Sequence, residues 1–271
     1  MPEVKKSAIA AFADELRSWR QRLGWSQVEL AEKIAYSPSL VSGVETMAKT
    51  PTLDFAERCD EATGTPGTFV RLHDLVTREA YPSYFAPVLG FEREATSVHS
   101  WEPGVVPGLL QTAGYARSVI RSSHPRDSDE AIDRMLAARL ERQEIVARDQ
   151  PPMLWFIVAE GALRQFIGGR TVMDEQLGKL AAMAAHPGLV IQVLPFAATE
   201  HAGTDGPISV YDFDGAPSVG YTECYGGGRV VEAHDEVGAL MTAISMLRAS
   251  ALSPQDSAEL VRKIRSEIGG N

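Results

Sequence analysis

The sequence predicts two domains of different class. An N-terminal all-α bundle of five helices comes first, then a C-terminal α/β (α+β) domain with about five strands and several helices. Three observations carry this. Up to about residue 80, apolar residues recur at helical spacing between capping signals. After Pro151-Pro152, short apolar runs rich in β-formers alternate with helical stretches. The length of 271 residues and a hydrophobic fraction of 44% suit two domains with sizeable cores.

Phe12, Leu16, Trp19 and Leu23 place a first helix over about Ser7 to Leu23, with Gly24 as its stop. Ser26 and Glu29 have the Ser-x-x-Glu spacing of a capping box and open a second helix, whose apolar face is Leu30, Ala31 and Ile34. A break follows at Ala35-Tyr36. Ser37 then caps a third helix with Pro38 at its first position, where a missing N–H costs nothing. Leu40, Val41 and Val44 face inward. Thr50-Pro51 repeats the cap-then-proline signal and opens a fourth helix ending at Gly64. A fifth covers Gly67 to Glu79.

Tyr81 to Pro87 breaks the helical pattern and reads as a packed, aromatic connector, which divides the chain into domains 1–80 and 81–271. Beyond it, Trp101 to Gly108 is a Pro/Gly-rich loop, and Thr112 caps a helix running to about Arg121. Residues 128–148 form a long charged helix with one apolar stripe, a solvated helix face or a dimer contact. Strands are expected at 153–158, 189–194, 208–213, 219–225 and 229–232. Short helices at 161–167 and 174–185 separate the first two strands, and helices at 235–250 and 254–268 close the chain.

Net charge is −10, unevenly spread: residues 1–50 carry +1 and residues 51–271 carry −11. Only a local patch can neutralise phosphates, so the division permits DNA binding through the N-terminal part and predicts weak non-specific affinity for the whole. Two cysteines, Cys59 and Cys224, far apart in sequence, argue against a disulfide scaffold and against a zinc site built from CxxC pairs. No apolar run reaches the roughly 18 residues of a membrane-spanning helix, and the N-terminus does not read as a secretory signal. A cytoplasmic, membrane-free setting is the expectation.

The segment Ser26-Gln27-Val28-Glu29-Leu30-Ala31, a short turn, and Ser37 to Glu45 resemble the helix-turn-helix of the phage-repressor-like (XRE) family over about residues 12–75. The resemblance implies that the second of the two helices enters the DNA major groove while the first crosses the backbone. Carried over, Gln27 contacts a phosphate from its helix N-terminus. Lys33 and Lys49 add phosphate contacts, and Arg17, Arg20 and Arg22 are more distant candidates. Ser37 opens the recognition helix, and Pro38, Ser39, Ser42 and Gly43 face base edges. The sequence departs from the family pattern at Gly43, where relatives often carry a long polar residue. It departs again at Ala35, in place of the turn glycine, and at Met47-Ala48, in place of Asn-Gly. Small side chains shift the expected readout toward DNA shape and thymine methyls. A helical bundle serving protein contacts alone is the other reading.

Trp101 to Arg117, with Val193-Leu194-Pro195-Phe196, Gly206-Pro207 and Leu252-Ser253-Pro254, resembles the C-terminal domain called DUF5753 in a family of actinobacterial regulators, over about residues 82–265. The resemblance implies a regulator that binds double-stranded DNA as a homodimer and pairs with a small, DUF397-like protein. Within Trp101–Arg117, large apolar groups sit on a path set by Pro and Gly. The segment is either a loop plugged into the core or a ligand or partner pocket using Trp101, Leu109, Leu110, Gln111, Tyr115 and Arg117.

No cofactor, metal or catalytic residue is expected. Gly215 to Gly220 has one residue too many before its serine for a nucleophile elbow. The lysine after Gly178 lacks the phosphate-loop glycine. His201 near Asp205 reads as a solvated loop before it reads as a metal site, and Gly226-Gly227-Gly228-Arg229 as a strand turn before an anion cradle. Glu160, Glu200, Glu223 and Glu232 stand near strand ends or loops. The first-choice reading is a DNA-binding transcriptional regulator whose C-terminal domain senses a small ligand or protein. The alternatives are an enzyme or toxin-like effector acting on a nucleotide such as NAD, and a toxin–antitoxin-like interaction module.

Overall fold

A computed structural model describes residues 7–269. The chain forms two compact units. One holds residues 7–83 together with Asp127–Glu141; the other holds Tyr84–Arg126 and residues 142–269.

The first unit contains α1 (Ala8–Arg22), α2 (Gln27–Lys33), α3 (Pro38–Glu45), α4 (Leu53–Thr63) and α5 (Thr68–Glu79). Each starts where its local chemistry allows. Ser26 forms a full capping box with Glu29 at α2, and Ser37 caps α3 with Pro38 in the first turn. At α4 the cap is Thr52, whose hydroxyl accepts from the Phe55 amide; Thr50 lies too far upstream. Gly64 (φ 68°) ends α4 in the left-handed conformation. The buried Asp60 then accepts from the Phe69 and Val70 amides at 3.0 and 2.9 Å, capping α5 from outside its own sequence. Phe12, Leu16, Leu30, Ile34, Val41, Val44, Phe55 and Phe69 form the core, every one at most 1% exposed.

The long charged helix, α8 (Asp129–Arg142), is shorter than expected and passes into a 3-10 turn at Gln143–Ala147. Up to Glu141 it packs with the first unit. Of its apolar stripe Ile132 is buried and Leu140 is exposed, and Ala138 is buried beside it. Glu141 accepts from the Leu53 amide at the start of α4 (2.7 Å) and pairs with the buried His73 (3.0 Å).

The second unit is a six-stranded sheet in the order β3-β2-β1-β4-β5-β6, built from β1 (Ser97–Glu102), β2 (Met153–Ala159), β3 (Leu189–Leu194), β4 (Ile208–Asp212), β5 (Val219–Cys224) and β6 (Gly227–Val231). β1, β2 and β3 are parallel; β1, β4, β5 and β6 pair antiparallel. The expectation of about five strands is corrected to six. The missed strand is β1, whose sequence SVHSWE has neither a continuous apolar run nor a clean alternation. It is central, and its neighbours on both sides satisfy its backbone.

One face of the sheet is covered by α6 (Ala86–Glu94), α7 (Ala113–Ser123), the short α9 (Glu160–Arg164), α10 (Arg170–Met183) and α12 (Pro254–Gly269). The other is covered by α11 (His234–Ser250). The side-chain period of two sorts the strands between these cores. Leu154, Phe156 and Val158 of β2 enter the first core, while Trp155 and Ile157 enter the second. α6 begins at the end of the segment read as a connector and runs beyond it: Pro87 sits in its first turn, where proline is tolerated.

Candidate functional site

The recognition geometry is assembled from α2, a tight turn and α3. Ala35 (φ 55°) makes the turn in the left-handed region, and Met47 (φ 63°) does the same after α3. These are the two places where the sequence lacks the residues suited to that conformation, and the backbone adopts it regardless. Ser37, Pro38 and Ser39 are exposed at the start of α3; Ser42 and Gly43 are half-buried; Lys33 and Lys49 are exposed. The Ser37 hydroxyl accepts from the Leu40 amide at 3.2 Å and still has its proton to donate.

Glu45, 2% exposed, organises this surface from beneath. It lies on the same helix face as Val41 and Val44, so α3 carries it inward. Its carboxylate accepts from Arg20 Nε at 2.5 Å, Arg20 Nη2 at 2.9 Å and Gln27 Nε2 at 2.8 Å, and its carbonyl accepts from Arg17 at 2.5 Å. Burial alone would raise the Glu45 carboxyl, but the hydrogen bonds from Arg20 and Gln27 outweigh it and hold the group below the usual carboxylate range. The hydrogen bond to Glu45 correspondingly raises the Arg20 guanidinium. α1, α2 and α3 are therefore tied together by charge-assisted bonds.

This changes what each predicted contact has to offer. Gln27 spends one amide hydrogen on Glu45; its second, and the backbone amide of the first helical turn, stay available to an anion. Lys33 lies with Nζ 4.6 Å from the Trp25 ring centroid, a cation–π contact that keeps the ammonium near α2. Lys49 runs over Gly43: a Cβ added at Gly43 would sit 2.6 Å from Lys49 Cγ. Of the distant arginines, Arg20 is committed inside, Arg22 stacks on Trp19 at 4.7 Å, and Arg17 pairs with Asp14 at 3.4 Å. Sequence reasoning missed the Arg20–Glu45 pair. Its signal was a glutamate in register with the valines of an apolar helix face.

In the second unit, the Trp101–Arg117 segment is stitched into the sheet. Trp101, 1% exposed, lies in the core under α11 and donates to the Gly203 carbonyl at 3.0 Å. Leu109, Leu110 and Tyr115 are buried in the opposite core. Gln111 donates to the Val106 carbonyl (2.8 Å), and the fully buried Gln176 serves the Thr112 amide and the Leu110 carbonyl at 2.7 and 2.9 Å. Arg117 is half-buried on α7. Of these six residues, Leu109 lines a small cavity shared with Glu92, Glu102 and Glu223.

Other candidates have structural tasks. His201 Nδ1 accepts from the Gly203 amide at 3.1 Å. Among the described residues, no group of three His, Cys, Asp or Glu side chains lies close enough to hold a metal ion. Gly226 (φ 73°) makes the turn between β5 and β6. Glu160 accepts from the Phe196 amide and from Arg164, at 3.0 and 2.7 Å. Glu200 and Glu232 are exposed, and Glu223 borders the cavity. Ser97, His99 and Asp212 meet on β1 and β4, but their hydrogen bonds run the wrong way for a nucleophile relay. Arg248 donates to His99 Nδ1 at 2.5 Å, which leaves the ring proton on Nε2, facing Asp212 and Ser97, while Ser97 donates to Asp212. A protonated Nε2 cannot take the serine's proton.

No helix of the described residues is long and apolar enough to cross a membrane. No curated protein and no solved structure matches the chain. A helix-turn-helix domain model matches residues 11–72, and the family described as a domain of unknown function, DUF5753, matches residues 85–263, well over half of the chain. The chain thus belongs to the DUF5753 family and carries ahead of that domain the helix-turn-helix of a DNA-binding regulator.

Proposed function

We propose that this chain is a cytoplasmic, sequence-preferring transcriptional regulator of the phage-repressor-like class, whose C-terminal domain senses a small ligand or a small protein. The observation that carries the reading is the rigidly supported α2–turn–α3 unit. It presents Ser37, Pro38 and Ser39 outward with Lys33 and Lys49 beside them. In this reading Gln27, Lys33 and Lys49 touch phosphates, and Pro38, Ser39, Ser42 and Gly43 approach base edges, with Ser37 at the helix entry.

The absence of long polar side chains on α3 favours readout through thymine methyls and groove shape over bidentate base contacts. Such a head gains affinity by pairing, so the working form is a homodimer on half-sites about 34–36 Å apart. The acidic excess beyond residue 50 suits a basic small partner of the DUF397 kind, whose encounter opposite charge would speed.

The test is fluorescence anisotropy on DNA from upstream of the protein's own gene against scrambled DNA, over a salt series. Preference for the upstream DNA is expected. Two lysine contacts per protomer set a log–log salt slope of about −2 per protomer. Equal, weak binding to both DNAs would overturn the reading.

A further inference from the structure

The first unit holds a cavity of about 390 Å³ between α1, α5, α8 and the segment that follows α3. α8 turns one face to it, with Ala131, Arg134, Met135, Ala138 and Glu141 at helical spacing. The other walls are Val76, Thr77, Glu79 and Ala80 of α5 and Ile9 of α1, and Met47 and Thr50 complete the lining just beyond α3. The room is left by short side chains: Ala80, Ala131 and Ala138 stand where a leucine would reach into the space. The size, and a lining that is apolar but for a few polar groups, are those of a site for a drug-sized molecule.

Both carboxylates of the lining are engaged. Glu79 accepts from the Ala8 amide at 2.7 Å, and Glu141 accepts from the Leu53 amide at 2.7 Å and meets His73 at 3.0 Å. They serve the free amides that open α1 and α4, so neither calls for a cation, and together they repel an anion. Arg134 and Thr50 differ. Both are half-buried, and among the described residues neither side chain makes a hydrogen bond. The charge of Arg134 acts on the exposed Glu130, one turn back along α8, which leaves its N–H donors open. A half-buried guanidinium of this kind, at an apolar cavity, suits an acceptor that brings no charge of its own.

We propose that this cavity binds an uncharged, largely apolar small molecule that carries a carbonyl. Its body lies among Ile9, Val76, Ala80, Met135 and Ala138, and its carbonyl oxygen accepts from Arg134. The same molecule touches Met47 and Thr50, the residues on either side of Ala48-Lys49. Met47 holds its left-handed conformation there, and Lys49 is the residue offered to a phosphate. A ligand seated against both ends of this short segment favours the conformation that presents Lys49, and so tightens DNA binding. The site goes beyond the reading of the C-terminal domain as the sensor, because it lies in the unit that holds the helix-turn-helix.

The experiment titrates the full chain with Prodan, an uncharged naphthyl ketone whose emission moves to the blue in apolar surroundings. Saturable, blue-shifted binding is expected, displaced by methyl heptyl ketone and far less well by octanoate or octylammonium. Ala131→Leu fills the cavity and is expected to weaken binding about tenfold. Arg134→Met keeps the stem but removes the donors and is expected to cost about threefold, of which Arg134→Lys restores part. All three variants are checked for native circular dichroism. No saturable binding, equal displacement by octanoate, or unchanged affinity in both Ala131→Leu and Arg134→Met would overturn the site. So would binding that appears only once residues 2–6 are deleted, which would make the chain's own N-terminal residues the occupant. Anisotropy with labelled upstream DNA, with and without methyl heptyl ketone, tests the coupling, and tighter DNA binding is expected. Ketone binding that leaves DNA affinity unchanged or weakens it sustains the site and overturns the coupling. Intact DNA preference without ketone binding overturns the site and leaves the regulator standing.

Discussion

Arg20 and Glu45 form a two-pronged ion pair, Nε to Oε1 at 2.5 Å and Nη2 to Oε2 at 2.9 Å, that fastens α1 to the last residue of the recognition helix. Glu45 is 2% exposed, so removing its partner leaves a buried carboxylate uncompensated. Arg20→Ala is expected to destabilise the first unit by about 3 kcal/mol, measured by urea unfolding at pH 7. The Glu45 carboxyl is held below its usual range in the folded state, so its contribution is present above the ordinary carboxylate range and fades as pH falls through the lowered value. The penalty of Arg20→Ala should therefore shrink in acid. A penalty that persists unchanged at pH 3 would show that packing, not charge, holds the pair.

Ala35 and Met47 bracket α3 in left-handed backbone conformations, at φ 55° and 63°. A side chain there meets its own carbonyl, and glycine does not. Ala35→Gly and Met47→Gly are each expected to raise stability by about 0.5–1 kcal/mol, despite the greater freedom glycine gives the unfolded chain. Equilibrium unfolding of the two single variants and the double checks this, and the double shows whether the two effects add. Loss of stability in both would refute the strain.

Lys33 and Gln27 separate two kinds of effect. Lys33→Ala removes an exposed ammonium and is expected to weaken binding to all DNA sequences alike, reducing the magnitude of the salt slope by about 1 per protomer. Gln27→Ala should do the same to affinity and, by taking a hydrogen bond from the buried Glu45, also cost about 1 kcal/mol of stability. Gly43→Gln forces the stem of Lys49 aside. It should lower the salt slope while sharpening base preference, because a long amide replaces a phosphate contact. Unchanged affinity in both Lys33→Ala and Gln27→Ala would remove the docking geometry.

Glu102 makes stability depend on pH in the opposite sense to Glu45. Burial, with the nearby Glu223 charge adding to it and the Ser100 hydrogen bond and Arg142 opposing, pushes its carboxyl up to about 7. The groups facing it are Ser100, Glu92, Glu223, Arg142 and Tyr211. A raised carboxyl favours the protonated form in the folded state, so the ionisation cost is absent below about pH 4.5 and complete above about pH 7. Glu102→Gln is expected to match the parent near pH 4.5 and exceed it by up to about 3 kcal/mol at pH 8. Thermal or urea unfolding at intervals between these limits measures it. Parallel stability curves would show that Glu102 stays solvated.

Much of the first unit was readable in the chain because its signals are local. The Ser26–Glu29 capping box, Ser37 ahead of Pro38 and the left-handed Gly64 each act within a turn or two of backbone. The helix-turn-helix motif itself is such a string of local signals. Thr52 replaced Thr50 as the α4 cap because two Ser/Thr candidates flanked one proline, and only the helix's register chooses between them.

The second unit shows where local reading ends. β2 and β3 announce themselves as apolar runs, whereas β1 is recognisable only through the strands on either side of it. By itself the sequence determined the five helices of the first unit and the class of each region, since spacing and capping depend on neighbours in the chain. Tertiary structure alone decided that Glu45 turns inward onto Arg20, that α8 up to Glu141 packs with the first unit, and that three glutamates from α6, β1 and β5 share one cavity. Those facts join residues many positions apart. Their energies arise from burial and charge in a shared environment, which exists only once the chain has folded.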